Sequence, residues 1–145
     1  MSGLSVKIES IQMEAMLDEL AGRMDDLTPV MQTIGEIIVE QADTAFETGV
    51  APDGTAWPAS GRALATGGQT LIDKAVLRNS INVLATDSQV EVGTNVLYAA
   101  IHQLGGKAGR GKKTVIPSRP FLPDQDSLDW SEVKATLQDF LKGAL

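Results

Sequence analysis

The sequence predicts an α+β fold in which a small, mainly antiparallel sheet packs with two N-terminal helices and one C-terminal helix. Apolar residues recur three or four positions apart near both ends of the chain, and polar and apolar residues alternate in short segments elsewhere. The two patterns are interleaved without the strand–helix–strand repeat that builds a parallel sheet. A chain of 145 residues fits one domain, which we expect to span residues 1–145.

The N-terminal third predicts one strand and two helices. Residues 5–9 alternate as a strand does, and apolar residues then recur at spacings of four, three, four and three over 13–27. Thr28 and Pro29 are typical of a helix start, because a Thr hydroxyl can cap a helix and Pro is tolerated in the first turn. We expect this second helix to run to about Glu47.

A long segment rich in Gly and Pro follows a helix stop at Gly49. Residues 50–70 contain little to bury apart from Trp57 and Leu64, so we expect an irregular, mobile loop. Loops of this length are commonly functional or ordered by a partner. Because aromatic side chains carry much of the energy of protein interfaces, we interpret the lone Trp57 as a docking anchor.

The middle of the chain predicts a β-hairpin. A short helix over 71–81 leads into a strand near 82–84, and residues 89–93 alternate cleanly as a second strand. A short helix over 98–104 comes next, and it should end at the glycines that follow it.

The C-terminal third predicts a Gly-rich loop, a stiff segment and a last helix. The loop should run over 105–113, and the prolines at 117 and 120 favour extended backbone over 116–121. Asp126 or Ser127 can cap the last helix. Its apolar stripe consists of Trp130, Val133, Leu137, Phe140 and Leu141.

The charge of the chain is acidic but unevenly distributed. A net charge of −7 argues against a general nucleic-acid binder, which needs excess Lys and Arg to displace counterions from phosphates. Residues 92–123, which we call the basic island, contain no Asp or Glu. We expect contact with DNA or an acidic partner from four of its residues, Lys107, Arg110, Lys112 and Lys113. Its basic residues are Lys107, Arg110, Lys112, Lys113 and Arg119.

The sequence offers little chemistry for catalysis or cofactor binding. There is no Cys, and His102 is the single histidine, so a zinc site and a nucleophile relay both lack their usual residues. The glycines of 105–113 resemble a phosphate-binding loop but lack the Gly-Lys-Ser/Thr sequence that opens a helix. No apolar run is long enough to cross a membrane and no signal peptide opens the chain, so we expect a soluble protein made in a cytoplasm. We predict no enzymatic activity, no metal and no cofactor.

Three motifs occur together in one order along the chain. They are Pro52-Asp53-Gly54-x-x-Trp57-Pro58, Tyr98-Ala99-x-Ile101-His102-Gln103-x-Gly105-Gly106 and Ile116-Pro117-x-Arg119-Pro120-Phe121-Leu122. With these motifs the chain resembles the phage virion morphogenesis family of Mu-like and related tailed phages and prophages. The resemblance covers roughly residues 27–122.

The resemblance implies a structural protein of the virion, assembled in the bacterial host cytoplasm. Members are similar to tail-terminator and head–tail joining proteins, which form hexameric rings of α+β subunits at the neck. The implied partners are other copies of the chain, the tail tube or its terminator, and the head connector. We expect interface roles for Trp57, Tyr98, His102, Arg119 and Phe121.

Two other functions stay open at this point, as does the choice between head–tail joining and tail-length termination. In the first, the basic island faces DNA that passes through the ring. In the second, the protein is a small hydrolase in which His102 lies in a cleft beside an acid. The hydrolase lacks a recognisable nucleophile motif.

Overall fold

The computed structural model describes residues 4–9, 14–22, 24–58, 79–96, 99–108, 111 and 114–143. Most of the helix expected over 71–81 lies outside the described residues, and so does the part of the expected loop beyond Pro58. Tyr98, Arg110, Lys112 and Lys113 also lie outside them.

The described part of the chain contains a three-stranded antiparallel sheet, as predicted. Its strands are β1 (Leu4–Glu9), β2 (Asn82–Ala85) and β3 (Gln89–Thr94), in the order β1-β3-β2. The predicted hairpin of β2 and β3 is confirmed, and Thr86 closes its turn by donating its backbone N–H to the carbonyl oxygen of Gln89 at 2.9 Å. β1 pairs with β3 along its whole length.

The two N-terminal helices are α1 (Glu14–Ala21) and α2 (Thr28–Thr48). α1 is shorter than its apolar pattern predicted. α2 forms the centre of the core and packs across β2 and β3. Gly35 lies at the closest approach, where an added Cβ would clash with Val83 and Val90. This contact explains a residue that otherwise disfavours a helix interior.

At the ends of α2, the predicted stop at Gly49 is confirmed, and the predicted start at Thr28 is correct except for its cap. Gly49 adopts the left-handed conformation with φ of 69° and donates its N–H to the carbonyl oxygen of Ala45, as a helix stop requires. At the start, the Thr28 hydroxyl does not cap the helix. Its N–H and hydroxyl both donate to a carboxylate oxygen of Asp26, at 3.0 and 2.7 Å.

After the sheet, the chain forms the short helix α3 (Ala99–Leu104) and a second hairpin of β4 (Gly106–Ala108) and β5 (Thr114–Ile116). The prediction of an irregular loop over all of 105–113 was therefore wrong for its first part. Gly105 and Gly106 have φ of 75° and 149°, conformations that L side chains rarely adopt. They turn the chain directly from α3 into β4, which pairs with β5.

The last helix is α4 (Trp130–Gly143), which packs against α1 and α2 through its buried Val133 and Leu137. Its cap is Asp129, whose carboxylate accepts a hydrogen bond from the N–H of Glu132 at 3.2 Å. The predicted caps, Asp126 and Ser127, belong instead to a preceding turn. None of the helices in the described part of the chain has the length and apolar content of a membrane span.

Candidate functional site

The three sequence motifs meet at one place in the fold, beside the C-terminal end of α2. We call this place the motif junction and define it as residues 49–58, 102–103 and 117–122. The third segment is hydrogen-bonded to both of the others there, across up to 63 positions of sequence. Most of these contacts run between a side chain of one segment and a backbone group of another, and one joins two backbone groups.

The first segment is a compact turn that continues from the end of α2. The N–H of Ala51 donates to the carbonyl oxygen of Thr55 at 2.8 Å, and the N–H of Trp57 donates to that of Gly49 at 2.8 Å. Asp53 accepts a hydrogen bond from the N–H of Thr55 at 2.9 Å, and this bond lowers the pKa of its carboxyl group. The expected irregular loop is thus an ordered turn over residues 50–58.

Trp57 is a core residue of the subunit and only 8% of its surface is exposed. Its indole Nε1 donates to the carbonyl oxygen of Pro120 at 2.8 Å. Its ring lies edge-on to Phe46, with centroids 6.0 Å apart, and Phe46 in turn packs against Phe121 at 5.2 Å. The interpretation of Trp57 as a solitary loop side chain was therefore wrong, because the turn folds this ring back onto the end of α2.

Gln103 connects α3 to the third segment. Its Oε1 accepts hydrogen bonds from the N–H groups of Phe121 and Leu122, both at 3.0 Å, and its Nε2 donates to the carbonyl oxygen of Leu122 at 3.0 Å. Its own carbonyl oxygen accepts from the hydroxyl of Ser118 at 2.8 Å. All polar groups of the Gln103 side chain therefore serve to hold one stretch of backbone.

Gln103 lies within the second sequence motif, but no role was predicted for it. A signal for that role was present in the neighbouring segment, where the prolines at 117 and 120 lack an N–H and rule out a regular strand ladder. The N–H groups that follow them still need acceptors once they are buried. A Gln side chain in a neighbouring short helix can supply those acceptors.

Arg119 is buried at the same junction, with 6% of its surface exposed. Its Nε donates to the carbonyl oxygen of Pro58 at 2.6 Å, and its backbone N–H donates to that of His102 at 2.7 Å. Burial lowers the pKa of its guanidinium group. Arg119 therefore bridges the first and third segments within the subunit.

Of the remaining predicted site residues, two are buried in the subunit, and the side chains of the others lie outside the described residues. Phe121 is fully buried and His102 is nearly so, on α3. Lys107 lies on β4 opposite Val115, and its side chain is outside the described residues, as are Tyr98, Arg110, Lys112 and Lys113. An interface formed by the junction therefore has to use its outer surface rather than the rings of Trp57 and Phe121.

The chemistry of the junction is that of a structural clamp, because the side chains of Trp57, Gln103 and Arg119 all bond to backbone groups. Among the described residues, no three His, Asp or Glu side chains are grouped so that they could hold a metal ion. Pre-formed backbone geometry of this kind offers a rigid surface to a partner at low entropic cost.

Comparison with known proteins gives two matches that span nearly the whole chain. The model of the phage virion morphogenesis family matches residues 8–142. The protein named Mu-like prophage FluMu G protein 2, from Haemophilus influenzae, is 35% identical over 142 residues, which is 96% of each chain. No solved structure matches the chain at a significant level.

Proposed function

Because the chain belongs to the phage virion morphogenesis family, we propose that it is a structural subunit of the virion neck that acts in tail completion or tail termination. A role in phage virion assembly follows from the family itself and from the similarity to a Mu-like prophage G protein. We propose in addition that the subunit lies at the neck and that six copies of it form a ring there.

The observation that carries the proposal is the construction of the motif junction. The residues that distinguish the sequence, Trp57, Gln103 and Arg119, hold three segments of backbone in one arrangement. A connector needs a surface whose shape is fixed before its partners arrive, because ordering it on binding would weaken the contact. The hydrogen bonds of the junction to backbone groups support a fixed shape of this kind.

A closed ring explains how such a subunit works without catalysis. Identical subunits joined head to tail around a rotation axis present one surface on one side of the ring and a different surface on the other. One side can cover the end of the tail tube and stop its growth, and the opposite side can bind the head connector. The α+β subunit with an antiparallel sheet is compatible with a tail-terminator-like fold.

Two competing functions have weaker support. A DNA-contacting channel protein would use the basic island, of which Arg119 is buried against Pro58. A hydrolase would use His102, which is nearly buried on α3. A salt-dependent mobility shift with duplex DNA tests the first of these, and turnover of ester, peptide and nucleotide substrates tests the second.

Deletion of the gene, followed by electron microscopy of the infected or induced cells, tests the proposal. We expect filled heads and separate tails, and infectivity should return when the wild-type gene is supplied in trans. Separate tails of normal length indicate a joining role, and tails of irregular length indicate termination. Joined, infectious particles would refute a neck function, and empty or unformed heads would assign the protein to an earlier step.

A further inference from the structure

The three-stranded sheet has two outer edges, formed by β1 and β2. These strands lie on opposite sides of β3 and end the strand order at both sides. Within the described ranges of the chain, β4 and β5 pair with each other and no further strand joins β1 or β2. An edge strand presents a row of backbone N–H and C=O groups that can pair with another strand.

β2 lacks the side chains that commonly keep an edge strand from pairing. Lys, other charged residues, Pro and bulges serve that purpose in many sheets. β2 consists of Asn82, Val83, Leu84 and Ala85, and it pairs with β3 residue by residue without a bulge. Leu84 is 64% exposed. This edge is therefore suited to accept a further strand along its short length.

The apolar inner face of the sheet is well covered at its centre and only partly covered at its edges. Val92 of β3 is fully buried, whereas its partners in the register, Val6 on β1 and Val83 on β2, are half-buried. α2 packs across β2 and β3 and contacts β1 much less. A strand added beside either edge would remove more of this apolar surface from water.

The two edges are compatible with each other in direction. β1 and β2 both run antiparallel to β3, so they run in the same direction as each other. Rotation about an axis parallel to the strands keeps that direction, so β2 of one copy would lie parallel to β1 of the next. Parallel pairing provides partners for the backbone N–H and C=O groups along both edges.

We propose that β2 of one copy pairs with β1 of the next copy, so that neighbouring sheets join into one continuous sheet. The occupant of each edge is a second copy of this chain. Because the two edges are different surfaces of the subunit, the contact is head-to-tail and can close into a ring. The inference rests on the proposed function, because it supplies the subunit contact of the proposed ring.

The register within the subunit indicates which side chains meet across this contact. Ser5 and Asn82 are level with the same residue of β3, and Lys7 and Leu84 are level with another. A continuous sheet without stagger places Asn82 beside Ser5 of the next copy and Leu84 beside Lys7. All four residues are exposed, and a depression of about 320 Å³ borders Ser5, Asn82 and Leu84. The aliphatic stem of Lys7 can cover Leu84 while its ammonium group stays in water.

The chain contains no Cys, so a pair of introduced cysteines reports the contact directly. Ser5→Cys and Asn82→Cys in one chain lie two strand spacings apart, about 9–10 Å, whereas a disulfide needs Cα atoms within about 7 Å. The pair can therefore be bridged only between copies. Under mild oxidation we expect a ladder of covalent oligomers up to the full ring on denaturing, non-reducing gels. Either single variant can form only dimers.

Further cysteine pairs test the register and the specificity of the cross-link. Lys7→Cys with Leu84→Cys tests the second level pair, and exchanging partners between the two pairs tests a shift of two residues in either direction. Odd shifts are excluded, because they would turn the apolar inner face outward. Ser5→Cys with Gln138→Cys, an exposed position of α4, is the control and should give no ladder at the same protein concentration.

A charge added to the edge provides a second test. Leu84→Lys lies opposite Glu91 in its own subunit, so the fold should be kept, but it places an ammonium group beside Lys7 of the next copy. We expect the concentration needed for assembly to rise by about fivefold. Leu104→Lys makes the same change at a residue that is 72% exposed outside the sheet and should leave assembly unchanged. Light scattering after size exclusion measures assembly, and circular dichroism checks folding.

The outcomes separate this inference from the proposed neck function. If the wild-type protein forms a ring, but no cysteine pair gives a ladder and Leu84→Lys assembles normally, the strand contact is refuted and the ring stands. If Leu84→Lys forms normal rings that fail to enter virions, the edge binds a different protein and the inference is also refuted. If the wild-type protein stays monomeric at high concentration, both the contact and the self-assembled ring are refuted.

Discussion

The indole Nε1 of Trp57 donates a hydrogen bond of 2.8 Å to the carbonyl oxygen of Pro120, 63 positions further along the chain. This bond joins two of the three motifs that distinguish the sequence. Trp57 is buried and Pro120 is half-buried, so we expect substitutions at these residues to affect the fold of the subunit before they affect assembly.

Trp57→Ala should therefore destabilise the subunit itself. Removing a buried aromatic side chain leaves a cavity and costs about 3–5 kcal/mol in the free energy of unfolding. Trp57→Phe keeps most of the packing against Phe46 but leaves the Pro120 carbonyl without its donor, at a cost of about 1–3 kcal/mol. Urea denaturation measures both. A Trp57→Ala subunit as stable as the wild type but unable to assemble would restore the docking-anchor interpretation.

Gln103→Ala should destabilise the segment around Phe121. The substitution removes three hydrogen bonds and leaves two backbone N–H groups without an acceptor, which we expect to cost about 2–4 kcal/mol. The measurement is again the free energy of unfolding. Gln138→Ala, at an exposed position of α4, is the matched control and should change stability little. Equal stabilities for the two variants would show that Gln103 does not hold the junction.

Gly35→Ala should lower the melting temperature although Ala favours helices. The added methyl group would overlap the side chains of Val83 and Val90, and overpacking of a core commonly costs about 1–3 kcal/mol. Gly143→Ala is the control, because nothing lies within 4 Å of the methyl group added there. If Gly35→Ala melts above the wild type, α2 does not lie on the sheet as closely as the structure places it.

The subunit should lose stability in acid, and Asp124 should contribute to that loss. The N–H and hydroxyl of Ser127 donate to the Asp124 carboxylate and lower its pKa below the ordinary value of 3.8. A lowered pKa means stability that is present above the ordinary value and is lost as the pH falls through the folded-state value. Asp124→Asn should therefore flatten the dependence of melting temperature on pH below about pH 4. An unchanged slope would contradict this assignment.

The helices and strands that depend on patterns within one short segment could be predicted from the sequence. The hairpin of β2 and β3, the long helix α2 with its stop at Gly49, and the apolar stripe of α4 each follow from periodicity or turn chemistry within one segment. The family could also be recognised, because its motifs are short, ordered and contiguous.

The motif junction could not be predicted, because its contacts join distant segments. Nothing near Trp57 in the sequence indicates that its ring packs on Phe46 and bonds to Pro120. The side chains of Gln103 and Arg119 likewise form hydrogen bonds with backbone groups of other segments of the fold. The hairpin of β4 and β5 was missed because each strand has only three residues, too few to show an alternating pattern.

Electron cryomicroscopy of purified virions tests the proposed ring of this chain in the virion neck, and we make the following claim about the density. We expect a closed ring of copies of this α+β subunit in the density between the head and the tail. Virions that lack the protein, or that hold it only outside the neck, would contradict the claim.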